Sequence, residues 1–344
     1  MNEMRPAQRL IAGLSARDRG RQAVDILWSL VAPFVGLLVV VVIFVTYQEL
    51  YKPEAVFLST FRMTLIAKQT AIVGMGALGM TVIIISGGID LSAGSLLALS
   101  AVALAVLLEA SVQPVLAVAA VLGVGIVAGA MNGVLITGLR LVPFIVTLGM
   151  MLVFRGLAEQ VSDQKKIQAP APDWLATLLD PPPDESYRMV CTGVWMVIVL
   201  GLLLTAVLRY SVFGRYVFAI GSSEATARLC GIHVPVVKVA VYALGGLFMA
   251  LAGIFDFNDL NKQGNPTSGI GLELEIIAAV VIGGGSLSGG RGSVLGSMVG
   301  ALTMTTLRSG CVYAGVSDPI QKVVIGSIII SAVAVDQFFH RRQS

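Results

Sequence analysis

The run Trp28 to Tyr47, WSLVAPFVGLLVVVVIFVTY, crosses twenty positions without a charge. Apolar runs of about 18 or more residues read as membrane-spanning helices. Lipid gives a backbone no hydrogen-bond partner, so a spanning segment must pair its own amides, as a helix or within a closed barrel. This run is continuous rather than alternating, which selects the helix. It is too long for the core of a signal peptide, and no small-x-small cleavage site follows it. It is therefore an uncleaved first span. The polar segment 1–27 ahead of it carries Arg5, Arg9, Arg17, Arg19 and Arg21. By the positive-inside rule these place the N-terminus in the cytoplasm.

The rest of the chain continues the pattern. Over 344 residues the mean hydropathy is +0.88 and charged residues make up 12%, about half the share usual in soluble domains. Further candidate spans are 65–86, 92–109, 114–137, 142–160, 189–208, 237–256, 273–285, 293–308 and 320–338. The fold class is an all-α polytopic membrane protein of about ten transmembrane helices, with one or two broken or re-entrant segments. The short, Gly-terminated 273–285 and the stretch 65–109 are the places for such breaks. The domain reading is a cytoplasmic segment 1–27, a single transmembrane domain 28–338 and a cytoplasmic tail 339–344. Ten spans from a cytoplasmic start return the C-terminus, with Arg341 and Arg342, to the cytoplasm.

This count puts 161–188 outside, where Asp163, Asp173, Asp180, Pro181, Pro182, Pro183, Asp184 and Glu185 suit an exposed loop. It puts 209–236 inside, with Arg209, Arg215 and Arg228. The net charge of +3, without a basic stripe interleaved with aromatics, gives no reason to expect nucleic acid. Cys191, Cys230 and Cys311 have no metal spacing and read as small packing residues. Glu109 and Asp336 lie near span ends and read as solvated.

Enzyme signatures are missing. His233 and His340 lack an i+4 partner or a nearby carboxylate set. There is no G-x-S-x-G elbow and no G-x-x-x-x-G-K-[ST] phosphate loop. Leu287-Ser288-Gly289-Gly290-Arg291 has the look of an ATPase signature but lacks the phosphate-loop domain such a signature serves. It reads as a Gly-rich break between two membrane helices. The stretch Gly87-Gly88-Ile89-Asp90-Leu91-Ser92-Ala93-Gly94-Ser95 echoes Gly284-Gly285 through Gly292-Ser293. Each follows a Val/Ile-rich run and opens another apolar segment. Paired Gly-interrupted helices are a pointer to transport sites, though glycines also simply break helices at turns.

The loop Phe213 to Pro235 carries the most information. Ser222 or Ser223 can cap a helix, and Glu224 suits the positive end of its dipole. Gly231 is a natural stop, with Pro235 beyond. The expected product is a helix of about two turns outside the bilayer. Its small residues Ala225 and Ala227 would let another protein approach closely.

With these residues in view, the sequence resembles the permease subunits of bacterial ABC importers for simple sugars, of the ribose/xylose/galactose type. The resemblance covers about 30–338. It rests on Gly87 to Ser92 with Gly94-Ser95, Asn132-Gly133, Pro143 to Gly149 with Arg155-Gly156, Phe213-Gly214-Arg215 through Gly231-Ile232, and Ala278 to Gly284 through Ser293. It implies the ABC importer permease fold and a pore half in the inner membrane. The implied partners are a second permease subunit in a homo- or heterodimer, a cytoplasmic ABC ATPase that holds ATP-Mg, and a periplasmic sugar-binding protein. No cofactor is implied on this chain. Gly214, Arg215, Glu224, Ala225, Ala227, Arg228 and Gly231 match the ATPase-coupling loop.

For the substrate pathway, small and polar linings are expected: Gly87, Gly88, Asp90, Ser92, Ser95, Asn132 and Thr147. Asp90 reads equally well as a helix cap before Leu91, and Asn132 as an interhelical hydrogen-bonding group. Pro143 reads as a helix-start residue. The sequence departs from the family pattern at His233, at Asp256-Phe257-Asn258-Asp259-Leu260-Asn261, and in the Pro-rich 161–188. Rival readings are a permease for a nucleoside or branched-chain amino acid, an ion-coupled secondary transporter working through intramembrane carboxylates, and a scaffold protein without transport.

Overall fold

A computed structural model describes residues 16–52, 56–180 and 190–341, the side chains of 16–30, 32, 332, 333 and 335–341 excepted. The chain is helical nearly throughout. In order the elements are α1 (Ala16–Tyr51), α2 (Thr60–Ile85), α3 (Ala93–Glu109), α4 (Pro114–Gly138), α5 (Pro143–Val161), β1 (Ile167–Gln168), α6 (Asp173–Ala176), α7 (Thr192–Tyr210), α8 (Val212–Ser222), α9 (Glu224–Leu229), α10 (Val234–Asp259), β2 (Gln263–Gly264), α11 (Leu272–Ile282), α12 (Val294–Ala314) and α13 (Asp318–Arg341).

A helix occupies each of the ten segments marked as spans, but the lengths differ. Among the described residues, six helices are long and apolar enough to cross a membrane: the Pro33–Tyr51 part of α1, α2, α4, α5, α7 and α10. Helix α3 has 17 residues and α11 has 11. At about 1.5 Å per residue they reach roughly 26 and 17 Å, short of a hydrocarbon core about 30 Å thick. The weak segment 273–285 is thus a half-length helix. Helix α1 begins at Ala16, well before the polar segment was expected to end at residue 27, because 16–27 contains no proline and only one glycine to stop it. Arg5, Arg9, Pro181 to Glu185 and residues 342–344 lie outside the described residues, as do the side chains of Asp336 and His340.

Helix α10 is the hub and packs on α4, α2 and α3. The α4 contact is made by glycines one turn apart, Gly125, Gly129 and Gly133, facing Gly246, the Tyr242 carbonyl and the Val239 backbone. Small residues at such spacing let helix backbones touch, which replaces the hydrophobic drive that lipid cannot supply. The most apolar window of α2 is 83% buried and that of α1 only 11%. Helix α2 is therefore enclosed by protein, whereas α1 lies at the rim.

The connections fall into two sets by their contacts. At one end, Lys52 Nζ donates to the Tyr313 carbonyl at 2.7 Å, and β1 pairs antiparallel with β2, Ile167 opposite Gly264. Ala169 and Leu175 bury against Leu108, Val121 and Phe257. Of the expected exposed loop 161–188, the described part 161–180 leaves Asp163, Asp173 and Asp180 exposed, while Ala169, Leu175, Ala176 and Leu179 are buried and anchor it to the bundle. At the other end lie the 85–92 turn, α8, α9 and the 283–293 connection.

Candidate functional site

The loop after α7 folds into two helices rather than the single one expected. Ser211 caps α8 by accepting from Gly214 N at 3.0 Å. Ser223 caps α9 by accepting from Thr226 N at 3.3 Å. The stop is at Gly231, φ +82°. Its N–H bonds the Arg228 carbonyl, and Ile232 N bonds that of Ala227, the paired closure of a glycine C-cap. Glu224 accepts from Arg228 and, at 2.6 Å, from Lys238 Nζ on α10, which ties α9 to the bundle. Partial burial pushes the Glu224 carboxyl up, but its bonds to Lys238 and Arg228 outweigh that and hold it below its ordinary range.

Ala225, Arg228 and Arg215 are exposed, and Leu229 is 88% exposed. Ala227 instead packs into the main core, so of the two alanines only Ala225 offers an outward face. Cys230 is exposed while Cys191 and Cys311 are buried. The reading of all three as packing residues fails at Cys230, because the Gly231 stop leaves it on the open side of the cap.

Below α8 the two Gly-rich stretches meet. Gly87 (φ +79°) and Gly284 (φ +88°) end α2 and α11 in the same way. Gly87 N bonds Ile84 O and Gly88 N bonds Ile83 O; Gly284 N bonds Val281 O and Gly285 N bonds Val280 O. The sequence echo is therefore a repeated helix end. Gly290 N then donates to the Ile85 carbonyl at 2.8 Å. Gly221, on the last turn of α8, lies so close to that carbonyl and to Gly290 N that a Cβ there would overlap both. The Leu287–Arg291 stretch is thus a hairpin wedged between α8 and the end of α2.

The expected pathway residues sit one layer deeper. Asp90 Oδ1 accepts from Ser92 N at 2.8 Å and Ser92 Oγ at 2.5 Å. Asn132 Nδ2, from α4, donates to Ser92 Oγ at 2.9 Å. Thr147 of α5 and Tyr242 of α10 both donate to the Ile89 carbonyl, at 3.2 and 3.4 Å. Asp90, Ser92, Asn132 and Thr147 have no exposed surface and Ser95 has 1%. Gly88 packs against the Tyr242 ring, while Gly87 is exposed. The helix that Asp90 could cap begins at Ala93 rather than at Leu91, and Asp90 accepts from Ser92 N in the turn ahead of it. Tyr242 escaped the sequence reading, since a tyrosine in an apolar run looks like packing. The Asp90 interaction needs an acceptor and not a charge, so Asp90→Asn is expected to preserve the fold. Asn132→Ala is expected to lose roughly 1–2 kcal/mol, read from thermal unfolding in detergent.

Helices α3 and α11 both begin inside the bundle, where Gly94 abuts the Gly269 backbone. Arg155 of α5 pins the incoming strand by donating to the carbonyls of Pro266 and, at 2.7 Å, Ser268. Both bonds are charge-assisted, so Arg155→Ala should destabilise by roughly 2–3 kcal/mol. Arg155→Lys should recover only part of this, because one ammonium matches the two carbonyls less well than a guanidinium.

The family model described as "Branched-chain amino acid transport system / permease component" matches residues 62–333. The chain belongs to this permease family. The permease is 38% identical over 313 residues to the ribose import permease of Bacillus subtilis (strain 168), covering 89% of this chain and 92% of the relative. It is 38% identical to the fructose import permease of Rhizobium meliloti, covering 83% and 80%. It is 36% identical to a probable ABC transporter permease of Escherichia coli (strain K12), covering 90% and 91%. No solved structure matches it significantly. The permease is a multi-pass membrane transport subunit and not an enzyme. The ion-coupled and scaffold readings lose their support, since these relatives are import or ABC permeases.

Proposed function

We propose that the permease forms half of the translocation pathway of an ATP-driven importer for a monosaccharide, in the inner membrane. The observation that carries this is α9. It is a capped, ion-paired helix standing outside the bundle, and its neighbour α8 is wedged by Gly221 onto the ends of α2 and the 287–291 hairpin. A force applied to α9 therefore reaches the helix ends that frame the bundle. The substrate class is carried by the relatives named for ribose and fructose import.

The two-sided sorting of the connections supports ten crossings, with both termini and the α8–α9 end in the cytoplasm. A second permease subunit, a cytoplasmic ABC ATPase holding ATP-Mg and a periplasmic binding protein complete the machine. Glu224, Ala225 and Arg228 contribute to the ATPase contact. Gly214, Arg215, Ala227 and Gly231 shape the loop that presents it. Asp90, Ser92, Ser95, Asn132 and Thr147, with Gly87 and Gly88, form the moving seam of the pathway. ATP closes the ATPase pair, α9 moves as a rigid piece, and the bundle alternates between outward and inward access.

Cys230 makes this testable without engineering. A thiol-to-amine crosslinker added to membranes of the complete transporter should join the permease to the ATPase through Cys230, and Cys230→Ser should abolish the product. Labelling of Cys230 by an impermeant reagent from the periplasmic side would overturn the assignment.

A pH dependence follows from Glu224. Its folded pKa lies below the ordinary value, so its two ion pairs are complete above the ordinary carboxylate range. They are lost as pH falls through the depressed value. ATPase stimulation by the loaded binding protein should thus be flat down to the ordinary carboxylate value of 4.5 and fall only below it, as Glu224 protonates. Glu224→Gln should show the reduced level at every pH.

A further inference from the structure

Two cations converge on one aromatic ring where α1 hands over to α2. Lys52 lies just past α1, Arg62 is in the first turn of α2, and the ring is that of Tyr313 on α12. Lys52 Nζ lies 5.2 Å and the Arg62 guanidinium carbon 4.6 Å from the ring centroid. The guanidinium also lies 5.9 Å from the Phe57 ring. The two charges are therefore no more than about 10 Å apart, close to one Debye length, so they repel. Both side chains are half-buried. Among the described residues, neither is in an ion pair. Glu49, one turn before Lys52, is exposed, and Glu54 lies outside the described residues. Arg62 Nε is buried without a hydrogen-bond partner. Phe57 and Tyr313 are buried, so the rings are fixed and hold both cations in place.

Around this pair the surface is apolar. Leu50, Tyr51, Val56, Leu58 and Phe61 are exposed, Phe61 by 79%. They stand at the end of the rim helix α1, where side chains face lipid. Tyr47 and Tyr51 stack with their centroids 5.0 Å apart, and such aromatic side chains collect at headgroup depth. Two half-buried cations collared by lipid-facing apolar groups fit one ligand class, a phosphate that carries acyl chains. We propose that Lys52 and Arg62 bind the phosphodiester of an anionic phospholipid, in the outer leaflet where ten crossings place this end. The guanidinium fork matches phosphate oxygens, and the ammonium adds a second charge. A zwitterionic headgroup brings its own ammonium to the same cations and fits less well. Free phosphate lacks the chains that Leu58 and Phe61 would cover. The bound lipid staples the end of α1 to α2 and α12, whatever solute the permease carries.

The full-length permease, stripped of lipid in mild detergent, is titrated with dioleoylphosphatidylglycerol or dioleoylphosphatidylcholine, and the first lipid bound is followed by native mass spectrometry. Phosphatidylglycerol should bind roughly thirtyfold more tightly, about fivefold for each cation. Lys52→Gln together with Arg62→Gln should abolish the preference. Lys52→Gln alone, which leaves the Arg62 contacts with both rings, should lose about fivefold. Arg209→Gln should leave the preference unchanged, although Arg209 also lies over an aromatic ring, that of Tyr210 at 5.7 Å. Inorganic phosphate or glycerol 3-phosphate at millimolar concentration should not displace the lipid. Displacement by either would mean a site for free phosphate and would overturn the proposal. So would equal binding of the two lipids, a preference that survives intact in Lys52→Gln, or one that falls as far in Arg209→Gln.

Discussion

Gly221→Val is expected to reduce ATP-driven uptake at least a hundredfold while leaving the permease inserted in the membrane. The reason is local. The last turn of α8 meets the Ile85 carbonyl and Gly290 N with no room for a Cβ, and backbone cannot rotate aside as a side chain can. Valine must push α8 off the end of α2 or break the bond from Gly290 N to Ile85 O. Overpacking of this kind costs about 1–3 kcal/mol or more. Here the cost falls on the joint between α9 and the bundle rather than on the bundle itself. ATP hydrolysis should persist but lose its response to the loaded binding protein. Gly221→Ala should show the same loss in milder form. Full coupling in Gly221→Val would mean that force reaches the helices by another route.

Gly129→Val is expected to prevent stable folding. A Cβ at this position would run into the Tyr242 carbonyl on α10, at the centre of the α4–α10 contact. Separating two backbones packed through Gly125, Gly129 and Gly246 opens the contact along several turns, so the loss should exceed about 3 kcal/mol. It is checked by the fraction of monodisperse protein recovered in mild detergent and by its unfolding temperature. Gly123, on the same helix, has nothing within 4 Å of the place a Cβ would take and is the comparison site. Gly123→Val should be tolerated.

The six long spans were legible because each is a long apolar run, and lipid leaves such a run little choice of conformation. The cap at Ser223 and the stop at Gly231 were legible because they satisfy backbone groups by local rules. The Gly87 and Gly284 echo was legible as a pattern, but only the shared hydrogen bonding shows that both are helix ends. What escaped has a common cause. The α8 helix, the Gly125/Gly129/Gly133 stripe, the β1–β2 pair and the burial of Ala227 all depend on partners distant in the chain. A stripe of glycines in an apolar helix looks like loss of propensity until its partner helix is known. The same holds for the cations over Tyr313. Lys52 and Arg62 lie far from Tyr313 along the chain, and only the packing of α1, α2 and α12 gathers them.

The source of the driving force separates ATP-driven import from ion-coupled transport. Purified permease is reconstituted in liposomes with its ATPase partner, the binding protein loaded with radiolabelled ribose or fructose is supplied outside, and ATP is enclosed. Uptake should require all three proteins and internal ATP, and should survive ionophores that collapse every ion gradient. Uptake by the permease alone, driven by a proton or sodium gradient and indifferent to ATP, would contradict ATP-driven import.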